Sequence, residues 1–462
     1  MVITTSSKQL SLYGSTPTIP VPIILQQLLT SSVSKSLHIL VLAWEFPPRV
    51  VGGIARHVAE LYPELVLRGH QITIVTVAPP PASDKVDDNP SPEHEIVSGV
   101  DVYRVEVPEH NDFFEWVRIM NRNMVQYVQT HFAHNTNDNS ANDSDQSPEE
   151  PLSQNFDLIH AHDWLVGEAA IALAGQYELP IIATIHATEY GRCNGIHNDT
   201  QRYIHNQELR LTQAARRVIV CTRYMQGEVE RALACLPTKT DIVPNGLSQE
   251  RIRQIQAPQQ ADFDQVALRA KYAQPHEALI YYVGRLTYEK GVSILLDAIP
   301  KILAVLPVQL VIIGTGDLYL PTLNHIIGRL GIGANVKFTG FMSDADLYRL
   351  QTIADCAVFP SLYEPFGIVA LESFAGGVPV VVSNTGGLPE VVRHEVTGIV
   401  TQVNDSHSLA MGILSVLQNP EQRRKMVNTA KQELQERFCW QTIAAQTEAI
   451  YVQVFTDLGS LT

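Results

Sequence analysis

The sequence predicts an α/β protein made of two doubly wound, Rossmann-like halves facing a cleft, and three observations predict it. The chain has 462 residues, too many for one ordinary core and suited to two domains of about 200 residues each. Apolar runs such as Leu37-His-Ile-Leu-Val-Leu-Ala43 alternate with helix-periodic stretches along most of its length. That is how strands buried on both faces of a parallel sheet look in sequence. Each half also opens with a strand, a glycine-bearing loop and a helix, which sets the loop at the carboxyl end of the strand, where ligands of open α/β sheets gather.

Residues 1–35 are expected to be a disordered extension. Their most apolar piece, Ile19-Pro-Val-Pro-Ile-Ile-Leu25, is short, broken by prolines and preceded only by Lys8, a poor signal peptide. An N-terminal domain is expected over 36–245. Leu37–Ala43 is its first strand, followed by Trp44-Glu-Phe-Pro-Pro-Arg-Val-Val-Gly52-Gly53 and a helix whose Ile54, Val58, Leu61 and Leu65 share one face and which stops at Gly69. The loop lacks the full G-x-G-x-x-G pattern, so it is no dinucleotide fingerprint. Gln71–Val77 is the second strand, Val100–Val107 an edge strand and Phe113–Phe132 a helix. His134–Gln154 carries five acids and no Lys or Arg, and a disordered insertion is expected over 134–154. Strands then fall at Phe156–Asp163, Pro180–His186, Arg217–Cys221 and Asp241–Val243, and Pro244-Asn245-Gly246 marks the hinge. A C-terminal domain is expected over 246–437, with strands at Ala278–Val283, Val308–Ile313, Val336–Phe338, Cys356–Phe359 and Val378–Val382. One of its crossover helices carries Val292, Leu295, Leu296, Ile299 and Leu303 along a face, and residues 438–462 form a final helix.

A net charge of -15 and a pI near 5.5 disfavour a nucleic-acid binder or a protein held on anionic lipid by basic residues. No run reaches the roughly 18 to 20 apolar residues that span a bilayer, so stable membrane insertion is not expected. Five cysteines, few and widely spread, suit reduced thiols in a cytoplasmic protein.

The chemistry concentrates in Phe359-Pro-Ser-Leu-Tyr-Glu364-Pro-Phe366-Gly367-Ile368-Val-Ala-Leu-Glu372-Ser. Pro365 keeps Glu364 out of the helix that follows. Glu372, four residues after Ile368, falls one turn below the free N-terminal amides, which suit a phosphate, while its carboxylate can accept from two ribose hydroxyls. Alone, these are a loop acid and a first-turn acid; the other motifs shift that balance. Gly284-Arg285-Leu-Thr-Tyr-Glu-Lys290-Gly291 follows the first strand of the second half, where Arg285 and Lys290 can offset a departing diphosphate or be two solvated cations. Gly314-Thr-Gly316 is a backbone approach to a nucleotide or a plain tight turn. His186 ends a strand and can donate to a sugar hydroxyl or be structural. His160 and His162 share a strand face, but no third and fourth ligand at regular spacing accompanies them, so no metal site is expected. Nor is there a Gly-x-Ser-x-Gly elbow or Walker loop.

In order along the chain, Gly52-Gly53, His160-Ala-His-Asp163, His186, the Arg285–Lys290 loop and the Glu364/Glu372 pair closely resemble the family-four retaining glycosyltransferases of the GT-B fold, the group 1 glycosyl transferases. The match covers roughly residues 37 to 456. Glu-Phe-Pro-Pro-x-x-x-Gly-Gly and His-Ala-His-Asp-Trp are most similar to the glycogen-synthase-like branch. The resemblance implies a nucleotide sugar, with ADP, UDP or GDP, held mainly by the second half, a carbohydrate acceptor held mainly by the first, and a final helix that crosses back to the first half. It implies that Arg285 and Lys290 hold the diphosphate, Glu372 the ribose, and Glu364 and His186 the transferred sugar, with Gly52 and Gly53 approaching the phosphate. Asp163, Gly314, Gly316, Phe366, Gly367 and Ile368 would complete the substrate site. Retention and independence of metal and cofactor are implied in the same way. One departure concerns glucan synthesis: glycogen synthases often carry a Lys shortly before the glycine pair, and here Arg49 is followed by Val50 and Val51. The alternatives are a nucleotide-sugar epimerase, which needs no acceptor, and a non-catalytic nucleotide-sugar-binding protein.

Overall fold

The computed structural model describes residues 36–79, 92–132, 155–260 and 263–459. The expected N-terminal extension and the acidic insertion 134–154 therefore lie outside the described residues.

Two sheets organise the chain. The first is assembled from β1 (His38–Leu42), α1 (Gly53–Leu67), β2 (Gln71–Val77), β3 (His94–Val97), β4 (Val100–Val105), α2 (Phe113–Phe132), β5 (Leu158–His162), α3 (Gly167–Tyr177) and β6 (Ile181–Ile185). It is completed by α4 (Glu189–Arg192), α5 (Asp199–Ala214), β7 (Arg217–Val220), α6 (Arg223–Ala232) and β8 (Thr240–Ile242). Its strand order is β3-β4-β2-β1-β5-β6-β7-β8, all parallel but for β3, which runs antiparallel to β4. The edge is thus β3. The expectation that Val100–Val107 forms the edge is corrected, because the short His94-Glu-Ile-Val97 run, with alternate residues exposed, covers that side of β4.

The second sheet follows from α7 (Gln249–Gln260), α8 (Gln265–Ala270), β9 (Ala278–Val283), α9 (Val292–Leu303), β10 (Val308–Ile313), α10 (Leu320–Leu330), β11 (Val336–Gly340) and α11 (Asp344–Gln351). It ends with β12 (Cys356–Phe359), α12 (Ile368–Gly376), β13 (Val380–Ser383), α13 (Leu388–Val391), β14 (Ile399–Thr401), α14 (Ser406–Gln418), α15 (Pro420–Arg437) and α16 (Trp440–Gly459). Its order is β11-β10-β9-β12-β13-β14, parallel throughout. β14, three residues long, has too little apolar run to stand out in sequence.

This order decides where chemistry can sit. In each sheet the winding reverses once, between β1 and β5 in the first and between β9 and β12 in the second, and the loops leaving such a pair part to form a crevice. The loops at those two points are the Gly52 loop, the end of β5, the Arg285–Lys290 loop and the Glu364 segment.

The chain passes between the sheets twice, side by side. Leu247 pairs with Cys439 as an isolated parallel bridge, and Leu247 N–H donates to Phe438 O. A side chain at Gly246 would meet Phe438 O at 2.5 Å, so the crossing is close enough to require glycine. Beyond it, α16 returns to the first sheet. Its Trp440, Ile443, Ala444, Ile450 and Tyr451 share a buried cluster with Ile39, Val41, Leu61 and Leu65. Burying a Leu or Ile side chain contributes about 1.5–3 kcal/mol, so this helix is held by its apolar face.

Candidate active site

On the second sheet, the reversal point brings the β9 and β12 loops together, and backbone bonds clamp them. Glu289 O accepts from Leu362 N at 2.7 Å and from Tyr363 N at 3.2 Å. Gly291, at φ +67°, would place a Cβ only 2.0 Å from Pro360 O, a distance that no side chain tolerates. The clamp delivers Lys290 to Glu364, Nζ to Oε2 at 2.7 Å, joining residues 74 positions apart. Arg285 is not part of this pair. Its side chain is 60% exposed, with Nη2 3.8 Å from Glu289 Oε1, beyond hydrogen-bond reach.

The glycines of the neighbouring loop have a packing cause. Gly314, at φ +138°, would carry a Cβ 1.9 Å from Gly284 O, and Gly316 one 2.1 Å from Leu286 O. Gly314 and Gly316 let the β10 loop lie directly on the β9 loop. Beside them opens a cleft of about 450 Å³ lined by Leu286, Thr287, Tyr288, Gly316, Asp317, Leu318 and Tyr319.

α12 begins at Ile368 behind Gly367, whose φ of 100° is a left-handed value that disfavours other residues. Phe366 is buried, with its ring 6.0 Å from Phe438. Its side chain is core, which leaves only its backbone to a substrate. Glu372 is 2% exposed and is gripped from two other helices. Arg56 Nη1 of α1 lies 2.5 Å from Oε1, and Arg251 Nη2 of α7 lies 2.9 Å from the same oxygen. Both arginines also reach Asp344, at 3.2 and 3.4 Å. Burial, the largest single influence, works against the Arg251 charge, but Glu372, Tyr348, Asp344 and Glu60 together outweigh it and raise the guanidinium pKa above its ordinary value. Glu364 and Glu372 therefore have separate partners here, and a ribose reaching Glu372 must share it with two cations. Ser343 caps α11 by accepting from Asp346 N.

On the first sheet, the buried Glu45 carboxylate gathers the glycine loop, accepting from Val51 N at 2.6 Å and Gly52 N at 2.9 Å. Burial raises its pKa and these amides oppose the rise. The Gly52 amide is thus already engaged. Gly53 opens α1 within 3.5 Å of Ile368 Cδ1, measured from where a Cβ would stand, so the glycine loop abuts the amino end of α12 across the crevice.

Behind this loop the expected strand alternation holds, since His160 and His162 project from one face of β5. Tyr62 OH lies 2.9 Å from His160 Nδ1 and 2.6 Å from His162 Nε2. His162 Nδ1 lies 3.0 Å from His186 Nε2. Asp163, in a left-handed conformation at φ 60°, accepts His186 N–H through Oδ1 at 2.7 Å. Asp163 therefore positions the His186 backbone from behind, and burial pushes its carboxyl up to about 7. Burial likewise pushes His186 down to about 4, so its ring is neutral. His57, 5% exposed on α1, joins the group. Its Nδ1 faces Asn245 Oδ1 at 2.8 Å, while Nε2 is buried without a partner.

His57, His162 and His186 each bring a ring nitrogen within 4.8 Å of the others, a set that sequence spacing did not reveal because it draws on three elements. Two of those nitrogens already bond each other. Sequence reasoning also missed Arg56, Arg251 and His57. Arg56 and His57 stand three and four residues after Gly53, near the start of α1, the one available signal. All five cysteines are free, and no helix among the described residues is long and apolar enough to cross a membrane.

The chain matches the family model for Glycosyltransferase Family 4 over residues 51–251 and that for Glycosyl transferases group 1 over residues 264–433. It is 35% identical to an uncharacterized glycosyltransferase of Methanocaldococcus jannaschii, covering 92% of this chain and 100% of that one. It is 33% identical to a glycogen synthase of Mycobacterium tuberculosis, covering 90% and 94%. Among solved structures, sucrose-phosphate synthase from Thermosynechococcus elongatus superposes with a TM-score of 0.72 at 21% identity, covering 91% and 100%. The two reversal-point crevices, the crossing final helix and a third of the residues shared along nine-tenths of the chain have one common explanation: this chain belongs to the family 4, group 1 glycosyltransferases and is a transferase of the GT-B fold.

Proposed function

We propose that this glycosyltransferase moves a hexosyl group, a glucosyl group by preference, from a nucleoside-diphosphate sugar to a carbohydrate acceptor with retention at the anomeric carbon and without a metal ion, in the manner of glycogen and starch synthases. The observation that carries this reading is the Lys290–Glu364 pair at the reversal point of the second sheet, directly behind the amino end of α12. A diphosphate seated between Lys290 and the amides of Gly367 and Ile368 takes up one point charge and a positive helix end. Both strengthen their hold as charge develops on the leaving group. Arg285, exposed on the same loop, swings in when the donor binds, and Glu364 then accepts from hydroxyls of the sugar next to the anomeric carbon.

The nucleoside fits the cleft of about 450 Å³ beside the Gly314–Gly316 loop, a usual size for a small-molecule site, with its ribose directed to Glu372. His186 contacts the transferred sugar from the first sheet, and Gly53 leaves room for the phosphate opposite Ile368. The leaving diphosphate takes the acceptor proton from the same face of the sugar, which retains configuration. The glycogen-synthase relative supports a glucan acceptor.

A panel of ADP-, UDP- and GDP-sugars, each incubated with EDTA and with or without oligosaccharide acceptors, tests the reading. Acceptor-dependent release of nucleoside diphosphate with an α-linked product from an α-linked donor is expected. A β-linked product, a chelator-sensitive rate, an epimerised donor or tight donor binding without transfer would overturn it.

A further inference from the structure

Tyr62, on α1, belongs to no loop or motif of the site, yet it joins a buried chain of polar groups that ends at His186. Thr184 Oγ1 lies 2.7 Å from His160 Nε2, and His160 Nδ1 lies 2.7 Å from the Tyr451 hydroxyl of α16. Tyr62 OH in turn lies 2.9 Å from the same His160 Nδ1. Tyr62 then meets His162 Nε2 at 2.6 Å, and His162 Nδ1 meets His186 Nε2 at 3.0 Å. His160, His162, Tyr62 and Tyr451 are fully enclosed, while His186 stays part-exposed at the end of β6.

A neutral imidazole has one N–H and one lone pair, and a hydroxyl has one proton. A neutral imidazole bonded at both nitrogens accepts at one and donates at the other, so the Tyr62–His162 and His162–His186 links run the same way. Burial holds His160 and His162 well below their ordinary pKa and His186 low, so no extra proton relaxes this constraint. Only two directions remain. The shortest imidazole–hydroxyl contact, 2.6 Å between Tyr62 and His162, is best made by a phenol donating to an imidazole nitrogen, because a phenol is the more acidic donor. That choice settles the next link: Tyr62 donates to His162 Nε2, and His162 Nδ1–H donates to His186 Nε2.

We propose that Tyr62 is a positioning residue that, through His162, fixes His186 in the Nδ1–H tautomer, so that the ring presents a hydrogen-bond donor to a hydroxyl oxygen of the transferred sugar. This rests on the reading of His186 as a sugar contact. The three-histidine set does not displace this reading, because a cation would need the His162 and His186 nitrogens that share a proton here.

The test is the ring ¹⁵N spectrum of the full chain labelled at histidine, with His186→Asn identifying the resonance. The wild type should show His186 protonated at Nδ1, and Tyr62→Phe should lose that state. With the full donor, kcat/KM of Tyr62→Phe should fall about tenfold, the worth of one donated hydrogen bond. With a donor deoxygenated at the contacted hydroxyl, the fall should shrink to within about twofold. Nε2–H in the wild type, an unchanged tautomer in Tyr62→Phe, or zinc retained stoichiometrically after dialysis would overturn the proposal. Unchanged transfer by His186→Ala would instead sink the sugar-contact reading, and the tautomer measurement, which needs no turnover, tells the two failures apart.

Discussion

Replacing Lys290 by Ala tests the centre of the proposed mechanism. In the wild type its ammonium sits 2.7 Å from Glu364 Oε2, with the two side chains 20% and 14% exposed. A charge-assisted hydrogen bond contributes about 1.5–3 kcal/mol. If Lys290 gives that to the departing diphosphate, kcat falls by roughly 10- to 150-fold, at 1.36 kcal/mol per tenfold. Stability also suffers, because Glu364 keeps a charge without its partner. The pair is neither exposed nor sealed, which puts the loss at about 1–2 kcal/mol, between the ranges for surface and buried pairs. Release of nucleoside diphosphate at saturating donor gives kcat, and urea unfolding gives the stability loss. Lys290→Arg keeps the charge and can keep the pair. It should recover most of the stability and only part of the turnover, since a planar fork replaces a point charge. Turnover of Lys290→Ala within about twofold of wild type at saturating donor would refute the assignment, whatever its stability, because an effect that small leaves no room for transition-state binding.

The remaining expectations concern the groups around this centre. Arg251→Ala leaves Glu372, 2% exposed, with Arg56 alone, and should cost about 2–4 kcal/mol in urea unfolding; a loss below about 0.5 kcal/mol, the size of an ordinary surface change, would mean Arg56 satisfies the acid by itself. Gly314→Ala sets a Cβ against Gly284 O in a left-handed backbone and should destabilise by at least about 2 kcal/mol while weakening donor binding, read by calorimetry with nucleoside diphosphate; unchanged affinity would separate the loop from the donor site. Burial pushes the Glu208 carboxyl up to about 8 from 4.5, with the Glu189 amide opposing. A folded pKa above the unfolded one favours the protonated protein, so this group's contribution falls as pH rises from about 4.5 to 8 and is level beyond. Glu208→Gln keeps an oxygen for the Glu189 amide, 2.7 Å away, and removes the charge. Its Tm should decline less than the wild type's between pH 5.5 and 8, by a few degrees, and parallel curves would contradict the buried charge.

Strand positions were legible where apolar runs were long. β1, β2, β9 and β10 each announce themselves, and so does Phe113–Phe132, which is helical over the expected range. β3 and β14 were not, because four exposed-and-covered residues or three apolar ones do not rise above loop composition. Glu364 and Lys290 were visible as a loop acid and a loop base and meet as a pair. Arg285 carried the same signal and stays at the surface. Charge type and spacing place a residue on a loop, but the backbone clamp through Glu289 O selects which side chain turns inward.

By itself the sequence determined the alternation of strands and helices, the glycines where loops must touch, and the two points at which a doubly wound sheet exposes its loops. Those features are local, written in periodicity and in residues with special backbone freedom. Only the tertiary structure decided that Arg56 and Arg251 hold Glu372, that Asp163 accepts from the backbone amide of His186, and that Tyr451 reaches His160 from 291 positions away. Such contacts depend on how helices pack across the sheets, and packing is settled by the whole apolar surface being buried at once, which no single stretch of the chain encodes.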